Sequence, residues 1–306
     1  MFRLVLARMG GAVPTVFIIV AAAFFLLRLA PGGPFDAERA LDPEIAQNLR
    51  RIYRLDLPLA QQFWLYLESL ARGDLGPSLH WRDFSVNELF AKALPISAEL
   101  GAEAMLVAVI VGAGLGVAGS ARQSGFGAHL VDGVALFGLV LPAFVVAPML
   151  QLWFGLTLRA LPVGGWNDGA WKNQVLPVFT LALPQIAIVA RLMQAGLNDV
   201  LAMPHIRTLR AFGLPAWHIQ AHALRAAVLP ALSYLGLAAA NVLTGSVVVE
   251  TIFGIPGMGR YFVDGALGRD YTLVMGTVVV IAVLVIFFNL MVDLAYAWLD
   301  PRVRDE

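Results

Sequence analysis

The stretch Pro204–Pro230, PHIRTLRAFGLPAWHIQAHALRAAVLP, decides how this chain is read. Short helical runs carrying Arg207, Arg210, His218, His222 and Arg225 are broken at Gly213, Leu214 and Pro215, and long apolar blocks flank the whole segment. Glycine allows backbone angles that end a helix, and proline removes a hydrogen-bond donor while fixing φ, so the chain turns here between two short helices. A polar element of this kind between apolar blocks presents a surface to a partner.

Outward from that island the chain is apolar. Of its 306 residues 59% are hydrophobic and the mean hydropathy is +0.76, well beyond a soluble domain, so this is an all-α integral membrane protein. The formal net charge is zero and no nucleic-acid partner is expected. Cysteine is absent, which excludes disulfides and thiolate metal sites.

A helix crossing the bilayer needs about 20 apolar residues. Blocks that meet this are 9–29, 98–119, 130–158, 174–197, 229–253 and 272–298, so six spans are expected. The first block follows a basic start but is nearly bilayer length, and it reads as a retained span (1–30), not a cleaved leader. A transmembrane core over 97–298 and a tail over 299–306 complete the organisation. Placing both termini in the cytoplasm puts Arg3, Arg8, Arg122, Arg191, Arg207, Arg210, Arg225, Arg302 and Arg304 inside, against Arg159, Lys172, Arg260 and Arg269 in short outer loops. The outer segment 31–96 is amphipathic, with Ile45, Leu49, Ile52, Phe63, Leu67 and Leu70 at helical spacing, and is expected as short helices on the outer face of the membrane. Trp64, Tyr66 and Trp81 there suit either a membrane interface or ordinary packing.

Soluble chemistry is missing. No Gly-rich loop ends in Lys-Ser or Lys-Thr, and there is no His-Glu-x-x-His pair, so neither nucleotide hydrolysis nor a metal centre is expected. Ser120, in GVAGSAR, has no base at a matching depth and reads as helix packing. His218 and His222 are one turn apart but lack a third ligand, so surface contact is the better reading.

Ionisable residues near spans are costly and informative. Ser97 and Glu99 suit the start of the second span as caps, while Glu103 reads equally as a path residue or a structural one. Glu250 reads equally as the outer end of a path or as an interhelical partner, and Asp293 reads as structural, paired with Arg260 or Arg28. Gln151, Gln185 and Asn241 are mid-span amides, open to a passing polar substrate and also to helix–helix bonding.

At the island the residues resemble the coupling segment of bacterial ABC importer permeases of the oligopeptide, dipeptide and nickel branch. The run Arg207-Thr208-Leu209-Arg210-Ala211-Phe212-Gly213-Leu214, then His222-Ala223-Leu224 and Leu229-Pro230, carries the likeness. Arg207 stands where the general permease signature has Glu, and the spacing from Gly213 to His222 is one residue shorter. LRLAPGGP after the first span, RGDLGPSL at Arg72–Leu79, LPISAEL at Leu94–Leu100, the stretch Val248–Gly276 and the closing Asn289–Arg304 are also similar, so the resemblance runs essentially the full length.

The resemblance implies a type I importer permease in the bacterial inner membrane, among membrane lipids, with no cofactor of its own. It implies a second homologous permease, one or two ATPase subunits holding ATP and Mg, and an extracytoplasmic solute-binding protein. Peptides are the implied cargo, with nickel chelates, glutathione or oligosaccharides as alternatives. Within a coupling segment over 203–226, Arg207, Thr208, Arg210, Ala211, Gly213, Leu214 and Pro215 are the implied ATPase contact. Glu103, Gln151, Gln185, Asn241 and Glu250 are candidates for the path, and Pro256, Gly257, Gly259, Arg260 and Asp270 for the outer loop. A stand-alone channel or an intramembrane enzyme is the rival class; internal repeats or a catalytic pair at one depth would favour it, and neither stands out.

Overall fold

In a computed structural model, residues 2–29, 47–48, 51–81, 83–120 and 126–299 are described. The expected tail beyond Leu299, Arg122 and most of the outer segment between 30 and 50 lie outside the described residues. The helices are α1 (Phe2–Leu29), α2 (Leu59–Ala71), α3 (Val86–Ser120), α4 (Phe126–Val140), α5 (Ala143–Leu150), α6 (Trp171–Leu201), α7 (Pro204–Ala211), α8 (Ala216–Phe253), α9 (Met258–Leu267) and α10 (Tyr271–Leu299). Five of these, α1, α3, α6, α8 and α10, are long and apolar enough to cross a membrane.

The expected third span, 130–158, is not one helix. It breaks at Leu141–Pro142 between α4 and α5, and α5 runs on into a π-helix over Gln151–Thr157. Pro142 has extended angles (φ −63°, ψ 146°), so α4 stops before it and α5 begins after it. In the π stretch the Leu158 N–H donates to the carbonyl of Trp153, five residues back.

The second span also starts earlier than the expected residue 98. Pro95 lies inside α3, whose first turn is closed by a reciprocal capping box: the Glu88 N–H donates to Ser85 Oγ (3.2 Å) and the Ser85 N–H to Glu88 Oε2 (3.0 Å). Ser97 and Glu99 are therefore not caps but mid-helix residues. Glu99 accepts a bond from Gln174 Nε2 of α6 (2.9 Å).

The core is built on α3, α6 and α8. Along α3 the small residues Ala104, Ala108, Gly112 and Gly116 recur every fourth position and are buried against α6. With no hydrophobic gain between helices in lipid, such stripes let backbones approach and maximise dispersion contact. A Cβ on Gly116 would lie 2.5 Å from Met193 Cβ and 2.7 Å from the Ala190 carbonyl oxygen.

Helix α1 packs antiparallel on α10, and an arginine contact marks each of its ends. Arg8 grips Asp293 through Nε (2.9 Å) and the second guanidinium nitrogen (3.2 Å), so both terminal ends of the described chain emerge on one side. Neither expected partner of Asp293 takes that place, because both belong to the opposite end. Arg28 lies 3.6 Å over the Phe24 ring and donates to Gln62 of α2, and Arg260 faces Asp264 at 3.5 Å. Helix α2 lays Phe63 and Tyr66 against Phe24 of α1; burial pushes the Tyr66 phenol up to about 12, the Arg28 guanidinium pulling the other way.

A bent basic segment and two carboxylate clamps

The island folds as the sequence suggests, with one change of proportion. Helix α7 ends at Phe212, Gly213 takes φ +76°, and Pro215 (φ −66°, ψ 148°) immediately precedes α8. The left-handed angle is the reason for glycine here. The second arm is not a separate short helix: α8 runs 38 residues without interruption through Pro230 to Phe253, about 57 Å. The bend and the outer-loop residues after Phe253 therefore sit at the two ends of one continuous helix.

An apolar seat holds the bend. Ile206, fully buried, and Ile219 and Ala223 of α8 join Leu197 and Val200 at the end of α6, with Leu209 and Leu214 packed alongside. The opposite face is exposed and carries Arg207, Thr208, Arg210, Ala211, Phe212, Pro215 and Trp217. Arg207 and Arg210 line a polar cleft of about 680 Å³ with Ser120 and Gln220. The Ser120 hydroxyl donates to the Val117 carbonyl (2.8 Å), the back-bond of a packed helix residue. His205 and His222 place their rings 6.5 Å apart, and among the described residues no group of three or more His, Cys, Asp or Glu could hold a metal ion.

At the other end of α8 the outer-loop residues close around two carboxylates. Glu250, with no exposed surface, accepts from the Gly259 N–H at Oε2 (2.7 Å), and Ser97 Oγ of α3 accepts from the Met258 N–H (2.9 Å). A side-chain carboxyl group and a hydroxyl thus take up the first two free N–H groups of α9. Gly257 and Gly259 are buried beside this carboxylate, while Pro256 and Arg260 are exposed.

Asp270, also fully buried, is the second clamp. Its Oδ2 accepts from Ser78 Oγ (2.5 Å) and from the backbone N–H groups of Leu79 (2.8 Å) and His80 (3.0 Å). Its Oδ1 accepts from the Leu273 N–H (3.0 Å), capping α10. One side chain thereby fixes the segment before α3 onto α10. Asp270→Asn turns an acceptor-only group into one whose amide faces donors, and bonds to charged groups are worth about 1.5–3 kcal/mol each. We expect release of residues 72–84, read as faster tryptic cleavage at the exposed Arg72; an unchanged cleavage rate would refute the clamp.

The five candidate path residues are not gathered in one place. Gln185 is buried and accepts from the Tyr234 hydroxyl (2.6 Å); Gln151 Nε2 donates to the carbonyls of Val163 (2.7 Å) and Ile252 (3.2 Å). Glu103 is half-buried and Asn241 exposed. None of the five, Glu250 included, lines the apolar groove of about 370 Å³ between α3, α8 and α10, whose walls include Leu94, Met105, Leu235, Val242, Ile281 and Phe288. Its polar lining side chains are the hydroxyls of Ser97, Ser246 and Thr277. Sequence reasoning passed over this groove because its residues are ordinary span residues, and passed over Phe212 and Trp217, whose signal was two large aromatics in a polar stretch.

Among the described residues, five apolar membrane-length helices, two of them joined by a bent basic element, define an integral membrane protein. The chain belongs to the family described as binding-protein-dependent transport system inner membrane component, which it matches over residues 108–305, and residues 1–79 match that system's N-terminal membrane component. It is 47% identical over 99% of its length to the whole of the oligopeptide transport system permease protein OppB of Salmonella typhimurium. It is 46% identical over 99% of its length to the whole of the Escherichia coli K12 protein of the same name. With the dipeptide transport system permease protein DppB of Bacillus subtilis the identity is 39%, over 99% of this chain and 98% of that one.

Proposed function

We propose that this chain is one of two permease subunits of an ATP-driven peptide importer, fed by an extracytoplasmic binding protein and powered by separate ATPase subunits. The observation that carries the reading is the full-length similarity to permeases named for oligopeptide and dipeptide transport. Those names favour peptides over nickel chelates, glutathione or oligosaccharides. The chain itself is a transport subunit, and ATP and Mg belong to its partners.

In this reading α4 and α5 together form one broken span, giving six, and the end of the chain with Arg8, Asp293 and the bend faces the cytoplasm. Arg207, Thr208, Arg210, Ala211, Gly213, Leu214 and Pro215 contact an ATPase, and α8 carries its motion outward as a rigid body. Glu250 and Asp270 hold the outer cap, with Pro256 and Arg260 open to the binding protein. Asn241 and Glu103, which keep accessible polar groups, serve the path; Gln151 and Gln185 serve helix packing. The second permease supplies the other wall of the groove.

The test is reconstitution of the chain with its second permease, ATPases and binding protein in proteoliposomes. ATP-dependent uptake of labelled peptides is expected, and it should vanish when this chain is omitted. Uptake of a nickel chelate or a saccharide in place of every peptide tried would overturn the choice of cargo.

A further inference from the structure

Two large rings stand exposed at the bend, Trp217 edge-on to its neighbour His218. Phe212, at the end of α7, is 77% exposed, and Trp217, the second residue of α8, is 68% exposed. They flank Gly213–Pro215, and neither belongs to the apolar seat beneath, which is closed by Ile206, Ile219 and their neighbours. Aromatic rings and arginines are the residues enriched at the centres of protein interfaces, where they fill pockets ringed by polar contacts.

The charge of the bend itself has one sign. Between Asp199 and Glu250 the chain has no acidic residue, while Arg207, Arg210 and Arg225 lie within that interval. Neither Arg207 nor Arg210 has an acidic partner among the described residues, and both open onto the same polar cleft beside the bend. A surface of this kind asks for negative charge around an apolar socket. Anionic lipid headgroups offer negative charge too, but a helix lying on a membrane turns its apolar face to the lipid. Here α7 turns that face, Ile206 and Leu209, inward onto α6 and α8.

We propose that the bend is a plug for an acid-rimmed apolar socket on the ATPase: Phe212 and Trp217 enter the socket, and the Arg207–Arg210 cleft receives a carboxylate from its rim. This rests on the reading of the bend as the ATPase contact. The rings set how long the two subunits stay together, and the arginines set how fast and to which ATPase they bind.

The test uses the assembled permease pair in nanodiscs and the purified ATPase. Because the chain has no cysteine, Ala211→Cys gives a single cross-linking position that reports whether the bend touches the ATPase at all. The double variant F212A/W217A should weaken ATPase binding at least tenfold while the salt dependence stays as in the parent. The double variant R207E/R210E should flatten the salt dependence. If Ala211→Cys cross-links but the aromatic variant binds within twofold of the parent, or the arginine variant keeps the parent's salt slope, the plug is wrong and the ATPase contact stands. Absence of any cross-link sinks both. Losses seen in discs of anionic lipid and absent in phosphatidylcholine discs assign the surface to headgroups and overturn the proposal. All four substituted side chains are exposed, and elution of the variant nanodiscs with the parent's profile verifies folding.

Discussion

Gly116→Leu is expected to abolish recovery of folded chain from the membrane. The position is buried in the crossing of α3 on α6, where even a methyl carbon would sit 2.5 Å from Met193 Cβ and 2.7 Å from the Ala190 carbonyl oxygen. One of those neighbours is backbone, so no rotamer change relieves the contact and α3 must move off α6. Overpacking in a close-packed core costs about 1–3 kcal/mol, and occasionally more. This crossing lies at the upper end, because separating α3 from α6 also opens the contacts of Ala108 and Gly112 on the same stripe. The amount of monodisperse protein extracted in mild detergent should fall more than tenfold. Gly114→Leu is the control: it lies two residues away on the exposed face with nothing within 4 Å of an added carbon, and should be recovered like the parent. Equal recovery of both variants would refute the account of the crossing.

How far the residues announced this structure depends on the distance over which each feature is decided. Spans are local, since about 20 apolar residues in a row suffice, and five of the six expected blocks lie within membrane-length helices. Two boundaries were misplaced. The second span begins not near residue 98 but at Ser85-Val86-Asn87-Glu88, a capping box in plain sequence, with Pro95 inside the helix. The third block is broken where Pro142 ends a helix outright. The bend at Gly213 was legible because a turn is also local.

The clamps were less so. Asp270 stood out as an outer-loop residue, but its partners Ser78, Leu79 and His80 come from about 190 positions earlier, a separation no spacing rule reaches. Glu250 was equally balanced between path and partner, and burial with the Gly259 N–H on its carboxylate now favours partner. The apolar groove shows the same limit. Leu94, Val242 and Ile281 look like any span residues until three helices bring them together.

Gly213→Val should cost the transporter its uptake while leaving the chain folded in the membrane. Gly213 sits at φ +76° with nothing within 4 Å of an added Cβ, so the substitution meets no clash and acts only through the backbone. A β-branched residue held at that angle carries strain of about 1–3 kcal/mol. The apolar seat under Ile206 and Ile219 stays in place, so the strain is relieved at the bend itself, by swinging Phe212 to new angles and drawing Leu214 off the edge of the seat. The bend then presents α7 and the start of α8 in the wrong relation, and on the proposed reading of the bend as the ATPase contact a push there no longer enters α8 along its axis. Peptide uptake in proteoliposomes should fall at least tenfold while protein content and ATP hydrolysis by the assembled complex remain within about threefold, the signature of lost coupling. Gly213→Asn separates strain from mere loss of glycine, because asparagine tolerates the left-handed region. It should retain most of the parent's uptake. If the valine variant transports like the parent, the angle at Gly213 is not what joins ATP hydrolysis to movement of the peptide path.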